Sequence, residues 1–160
     1  MSHPPRHPAV RTFTARKTAG FVLHAHDVPG LRPVRKKEVD VTVSFAGSAG
    51  ALETPEGRVR VRPGDALVTG HAGDRWRVPA AQFRLRYVPV PPVQAGGAGR
   101  YRSRPLPAQA ARMNESFEVR LADGVSRLRG EPGEWLLDYG DGSLAVVSAA
   151  AFEHTYELLD

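Results

Sequence analysis

One passage of this chain occurs twice, and that limits its folds more than any other feature. Pro63-Gly64-Asp65 opens one copy and Pro132-Gly133-Glu134 the other, 69 residues later. Laid over each other without a gap, residues 63–87 and 132–156 agree at nine positions. These are the Pro-Gly pair, Leu67/Leu136, Gly73/Gly142, Val78/Val147, Ala80/Ala149, Ala81/Ala150, Phe83/Phe152 and Tyr87/Tyr156. Average residue usage gives roughly two by chance. A duplicated unit of about 55–60 residues is near the smallest size at which one core stands alone. The copies are therefore expected to lean on each other.

Each copy reads as short strands. In residues 39–45, Val-Asp-Val-Thr-Val-Ser-Phe, apolar and polar side chains alternate, the period of a half-buried strand. Residues 51–53 and 58–62 flank Pro55-Glu56-Gly57 as a hairpin. Pro63-Gly64 suits a type II turn, because Pro presets φ at its second position and Gly tolerates positive φ at its third. Residues 66–69, 75–78 and 85–88 continue as strands, with a short helix at 80–83 after Pro79. In the second copy, residues 106–112, 117–121, 135–138, 144–147 and 155–158 are strands. Asp123-Gly124 marks a hairpin, and Ser148 caps a short helix at 149–152. The sum is an all-β protein with one short helix per repeat: a tandem duplication of a five-stranded, barrel-like or bent-sheet unit. Its parts are a disordered arm (1–11), an N-terminal extension (12–33) in which 12–14 and 21–23 are candidate strands, a first repeat (34–88), a stiff then Gly-rich linker (89–100) and a second repeat (101–160).

The spaced motifs carry a resemblance. Residues 50–57, then Pro63-Gly64-Asp65-Ala66-Leu67-Val68-Thr69-Gly70, then Gly73-Asp74-Arg75-Trp76-Arg77-Val78 with Phe83 and Tyr87, resemble the PGDYG-type proteins. These are small bacterial and phage domains of unassigned function. Arg35-Lys36-Lys37 and Tyr101-Arg102-Ser103-Arg104-Pro105 resemble that family's basic lead-in, so the resemblance implies two tandem copies. The second copy departs from the motif at Glu134 and at Ser143-Leu144-Ala145. The family supplies no catalytic residues.

Charge separates the copies. The net +5 divides into ten basic and six acidic side chains over residues 35–89, against six and ten over 101–160. Such a split fits attraction between halves or between molecules, including a homo-oligomer. Arg58, Arg60 and Arg62 alternate with Val59 and Val61. Arg75 and Arg77 flank Trp76, and Arg84 and Arg86 flank Leu85. If all three segments are strands of one sheet, seven guanidiniums share an outer face, a binder for nucleic acid or an acidic protein. On this reading the arginine stripes belong to the first copy alone. Trp76 points inward as a packing anchor, and Gly64, Asp65, Gly73 and Asp74 are turn residues of the motif.

Other chemistries have less behind them. The chain has no cysteine, so disulfides and thiol chemistry are excluded. His24 and His26 fall on one face if their segment is a strand, as some metal sites require, but a third ligand would have to come from His71, His154 or a remote carboxylate. No catalytic residue, metal or other cofactor is expected. No apolar run is long enough for a membrane helix, and the N-terminus does not read as a secretory signal, so the expected location is the cytoplasm. The expectation is a non-catalytic binding protein whose basic repeat meets a polyanion or an acidic protein surface. Alternatives are a self-assembling interaction module or a small-molecule enzyme.

Overall fold

The alternating segments fold as strands, and their order along the chain differs from their order in the sheets. The computed structural model describes residues 10–159; residues 1–9 of the expected disordered arm lie outside the described residues. Strand β1 (Arg11–Thr14) precedes β2 (Arg32–Lys36) and β3 (Asp40–Phe45). The hairpin β4 (Gly50–Thr54) and β5 (Gly57–Val61) follows, then β6 (Ala66–Thr69), β7 (Arg75–Val78), helix α1 (Ala80–Arg86) and β8 (Tyr87–Pro89). The second half repeats this plan with β9 (Gly99–Ser103), β10 (Pro107–Arg112), the hairpin β11 (Phe117–Arg120) and β12 (Arg127–Gly130), β13 (Trp135–Asp138), β14 (Leu144–Val147), helix α2 (Ala149–Thr155) and β15 (Tyr156–Leu158). The Pro63-Gly64 turn has the expected geometry. Gly64 has φ +88°, and the Asp65 N–H donates to the Arg62 carbonyl at 3.1 Å. No described helix is long and apolar enough to cross a membrane.

Two five-stranded sheets organise the molecule, in the orders β7-β6-β3-β9-β8 and β14-β13-β10-β2-β15. Neither closes into a barrel; both are open sheets, as the bent-sheet form of the expectation allows. They have the same plan with one exchange. β2 leads directly into β3 yet pairs with β10 and β15 in the other half. β9 leads directly into β10 yet pairs with β3 and β8. The exchanged lead-ins cross at matching hydrogen bonds. Lys36 N–H donates to Leu106 O at 3.1 Å, and Ser103 N–H to Val39 O at 2.9 Å. Lys37 N–H donates to Thr155 O at 2.7 Å, and Arg104 N–H to Arg86 O at 2.8 Å. Each half's sheet is therefore incomplete without a strand that belongs, by sequence, to the other.

Each exchanged strand also inserts a side chain into the host core. Tyr101 of β9 packs with Val41, Val43, Val68, Phe83 and Tyr87. Val34 of β2 packs with Ala108, Ala110, Leu137, Phe152 and Tyr156. Tyr101 also orders the segment before it, which is a turn between paired strands rather than a loose linker. Its hydroxyl donates to Gly97 O at 2.8 Å and accepts from Gly96 N–H at 3.1 Å.

The N-terminal extension covers the second half. β1 pairs in parallel with β11, and Phe13, Ala15, Leu23 and Val28 join Phe117, Val119, Leu136 and Leu144 in a third core. Residues 21–23 are not a strand. The Val22 and Leu23 N–H groups instead donate to the buried Asp138 carboxylate at 2.7 and 2.8 Å. Gly142, at φ +91°, lets the backbone of Arg16 and Thr18 approach where a β-carbon would collide. Among the described residues the first half has no such cover.

The exchange predicts mutual dependence. A fragment ending at residue 97 lacks β9, which separates β3 from β8, and it leaves β2 without neighbours. It is expected to show no cooperative denaturant transition, while mixing it with a 98–160 fragment restores one. Cooperative unfolding of the 1–97 fragment alone would contradict the exchanged pairing.

Candidate functional site

The seven arginines do not share one face. Arg84 and Arg86 lie on α1, which continues to Arg86 rather than giving way to a strand at Leu85. Phe83 and Arg86, three residues apart, are the buried residues of the helix, and Tyr87 opens β8 in extended backbone, so helical spacing prevails over the alternation around Leu85. Arg77 is nearly buried and its Nε donates to the buried Asp65 at 2.8 Å. Asp65 also accepts from the Arg62 N–H at 2.8 Å, so it holds the Pro-Gly turn as well. Glu134 repeats that role by accepting from the Glu131 N–H at 2.7 Å. Arg58, Arg60, Arg62, Arg75 and Arg84 remain exposed. Arg58 pairs with Glu53 at 3.2 Å.

The second half has arginines at equivalent positions, which extending the 69-residue offset back to β5 would have found. Arg127 and Arg129 of β12 correspond to Arg58 and Arg60 of β5. The two strands pass side by side: Arg129 N–H donates to Glu56 O at 2.7 Å, and Arg60 N–H to Ser126 Oγ at 2.8 Å. The stripes therefore belong to both halves. In the second half they are matched by acids, Arg127 with Glu118 and Arg129 with Glu131, each at 3.0 Å.

Between the sheets, each half's turn after its third core strand meets the end of the other half's helix. This happens at two places related by the repeat, and the two differ in chemistry. At the first, Arg86 of α1 enters the turn after β13. Its Nη2 donates to Asp141 at 2.7 Å and to Ser143 at 2.6 Å, and its guanidinium lies 3.9 Å from the Tyr139 ring centre. Burial opposes the Arg86 cation, but Tyr139 and Asp141 more than offset this and hold its pKa above the ordinary value. Burial also opposes the Asp141 carboxylate, yet Arg86 and Ser143 hold its pKa below the ordinary value. This junction is sealed.

At the second, the residues corresponding to Arg86, Tyr139, Asp141 and Ser143 are Thr155, Gly70, Ala72 and Asp74. The large side chains are gone, and a cavity of about 80 Å³ takes their place. Those four residues line it, with Trp76, Val41, Ala150 and Ala151 adding mostly apolar wall. His71 and His154 stack across its mouth, ring centres 4.9 Å apart. Outside them Glu38, Asp40 and Arg102 form a wider polar groove.

Lys36 also lines this cavity and is buried. Its ammonium donates to the Tyr87 hydroxyl at 2.6 Å and lies 4.4 Å from that ring's centre. No carboxylate pairs with it among the described residues. Burial pushes its pKa down from 10.5 to about 8. Burial likewise raises Tyr87 to about 12. The position matching Lys36 is Ser103, whose hydroxyl only ties backbone, donating to Lys37 O at 2.6 Å and accepting from Val39 N–H at 2.9 Å. The fold thus does not need a lysine here. By sequence Arg35-Lys36-Lys37 resembles a basic lead-in; the signal for its burial is that Lys36 shares the inward face of Val34.

The remaining candidates stay apart. Trp76 is partly buried against the first half's core, as expected of an anchor. Gly73 has φ +81° in its turn, and Gly70 N–H donates to the Asp74 carbonyl at 2.8 Å. His24 and His26 stack on the surface with ring centres 5.7 Å apart. No group of three His, Cys, Asp or Glu that could hold a metal occurs among the described residues.

A family model described as PGDYG protein matches residues 57–157, well over half the chain, in a single span that crosses from the first half into the second. No curated protein and no solved structure matches the chain.

Two measurements probe the junctions. Lys36 titrates near 8 when folded and near 10.5 when unfolded. Between those values the unfolded chain binds more protons, so this group's effect on stability improves as pH rises; below 8 its full cost is present. Tyr87 acts oppositely above pH 10, where the unfolded chain loses its proton first. From pH 8 to 10, wild type is therefore expected to gain about 2 kcal/mol relative to Lys36→Met. Parallel pH profiles in urea titrations would refute the assignment. At the sealed junction, Arg86→Met strands Asp141 and is expected to cost about 3 kcal/mol in the same assay.

Proposed function

The chain belongs to the PGDYG protein family, and from that premise we propose that it is a non-catalytic binding protein whose basic first half engages a polyanion. The exposed arginine strand carries this reading. Arg58 and Arg60 of β5 and Arg62 just after it are exposed, while Val59 and Val61 fix the strand from the buried side. No carboxylate lies within ion-pair distance of Arg60 or Arg62 among the described residues, so their forks are available to phosphate or carboxylate oxygens. Arg127 and Arg129 on the neighbouring strand extend the basic region, though acids temper them. Neither β4 nor β5 carries an aromatic residue, which favours contact with a charged backbone over base stacking.

On this reading the halves descend from one duplicated unit in a cytoplasmic bacterial protein, and the second serves as structural partner. The corresponding strand orders of the two sheets support the duplication. The ligand is a nucleic acid or an acidic protein surface, and salt dependence separates a specific site from general basicity.

The test is binding of duplex DNA, single-stranded RNA and an acidic polypeptide across a salt series. With duplex DNA, Arg58/Arg60/Arg62→Ala is expected to flatten the dependence of log K on log salt by about 2 to 3. A control of equal charge change, Arg16/Arg104/Arg120→Ala, is expected to flatten it less. Identical curves for wild type and both variants would end the proposal.

A further inference from the structure

We propose that the open junction between the halves captures a small aldehyde or ketone, with the Lys36 amine as the group that bonds to it. Three observations on the chain converge there. First, the cavity is a modified junction, not a packing fault. The matching place is filled by Arg86, Tyr139 and Asp141, and here Thr155, Gly70 and Ala72 leave about 80 Å³ empty. That volume and its mostly apolar wall suit a guest of a few heavy atoms.

Second, a lysine is spent where the fold manages with serine. Lys36 is buried beside the cavity against the Tyr87 hydroxyl and the rings of Tyr87 at 4.4 Å and Tyr156 at 6.0 Å, with Tyr139 and the Arg86 guanidinium near enough to act on its charge. A buried ammonium without a carboxylate is costly to a fold, and such groups concentrate at functional sites. A pKa of about 8 leaves about a tenth of the amine free at pH 7 and about half at pH 8, the form that attacks carbonyl carbon.

Third, a proton relay stands beside the amine. Tyr87 Oη is 2.6 Å from Lys36 Nζ, and its ring packs in the same core as Trp76, which lines the cavity. The amine nitrogen bonds to the carbonyl carbon, and the carbonyl oxygen takes up the two protons that nitrogen gives up. That oxygen leaves as water, and a C=N bond remains. Tyr87 carries a proton between nitrogen and oxygen, and no oxidant or reductant is consumed. The stacked His71 and His154 restrict the mouth to small guests.

The chain has three lysines, Lys17, Lys36 and Lys37, which makes the test clean. The protein is incubated at pH 8 with propionaldehyde and sodium cyanoborohydride, and the alkylated lysines are located by peptide mass spectrometry. Modification is expected to favour Lys36 over Lys17 and Lys37 by about tenfold or more. Lys36→Arg should abolish the selective product. Ala150→Trp, at an exposed position on the cavity rim, should block it while the circular dichroism spectrum is unchanged. Product confined to Lys17, Lys37 or the N-terminus overturns the proposal. Lys36 product undiminished by Ala150→Trp overturns the cleft as its route.

Discussion

The exchange of β2 and β9 is the constraint on which the rest of the molecule depends. A strand that leads into one sheet but pairs in the other turns two small units into one object. Each unit is near the size at which a single core is marginal. The exchange gives each core a side chain it could not supply itself, Tyr101 in one and Val34 in the other. It also fixes where the halves touch, because the crossing hydrogen bonds at Lys36–Leu106 and Ser103–Val39 bring helix ends against opposite turns. The junctions are thus products of the topology, present twice whatever residues occupy them.

What occupies them differs, and the difference follows a division of labour. The Arg86 junction is a satisfied ionic cluster: guanidinium, carboxylate, hydroxyl and tyrosine ring. A buried ion pair of this kind adds little net stability over an apolar filling but penalises any other register strongly. Arg86 ties α1 of the first half to the turn after β13 of the second. With one junction pinned, its counterpart is free to lose its large side chains without letting the halves slide. The N-terminal extension contributes to the same asymmetry by burying Phe117 and Leu136 of the second half.

Much of the scaffold was legible in the sequence because its signals are local. Alternation in residues 39–45, positive φ at Gly64 and the Ser148 cap each follow from a few neighbouring residues, and the structure contains all three. The exchange was not legible, since alternation tells which face of a strand is buried but not which strand lies beside it. Residues 82–87, Gln-Phe-Arg-Leu-Arg-Tyr, satisfy both a period of two and the i, i+3 helical spacing of Phe83 and Arg86. The helix prevails through Arg86, which it carries to the junction, and Tyr87 then opens β8. Lys36 was hidden by its neighbours: between Arg35 and Lys37 it reads as surface charge, although it alternates with Val34 toward the interior.

The burial of Lys36 also bears on how the two candidate sites relate. The arginine strand stands on a hairpin whose own packing is Leu52, Val59 and Val61, and changes to its outer face leave the junctions untouched. Lys36 lies where β2 pairs with β15 and meets Tyr87 of β8, beside a cavity that α2 also lines, so a guest beside it contacts both halves at once. Such a guest binds only when the halves are assembled and so stabilises the exchanged state by mass action. A polyanion on β5 has no comparable hold on the second half. The two surfaces therefore answer to different parts of the fold: charge on an exposed strand for one, and the exchanged topology itself for the other.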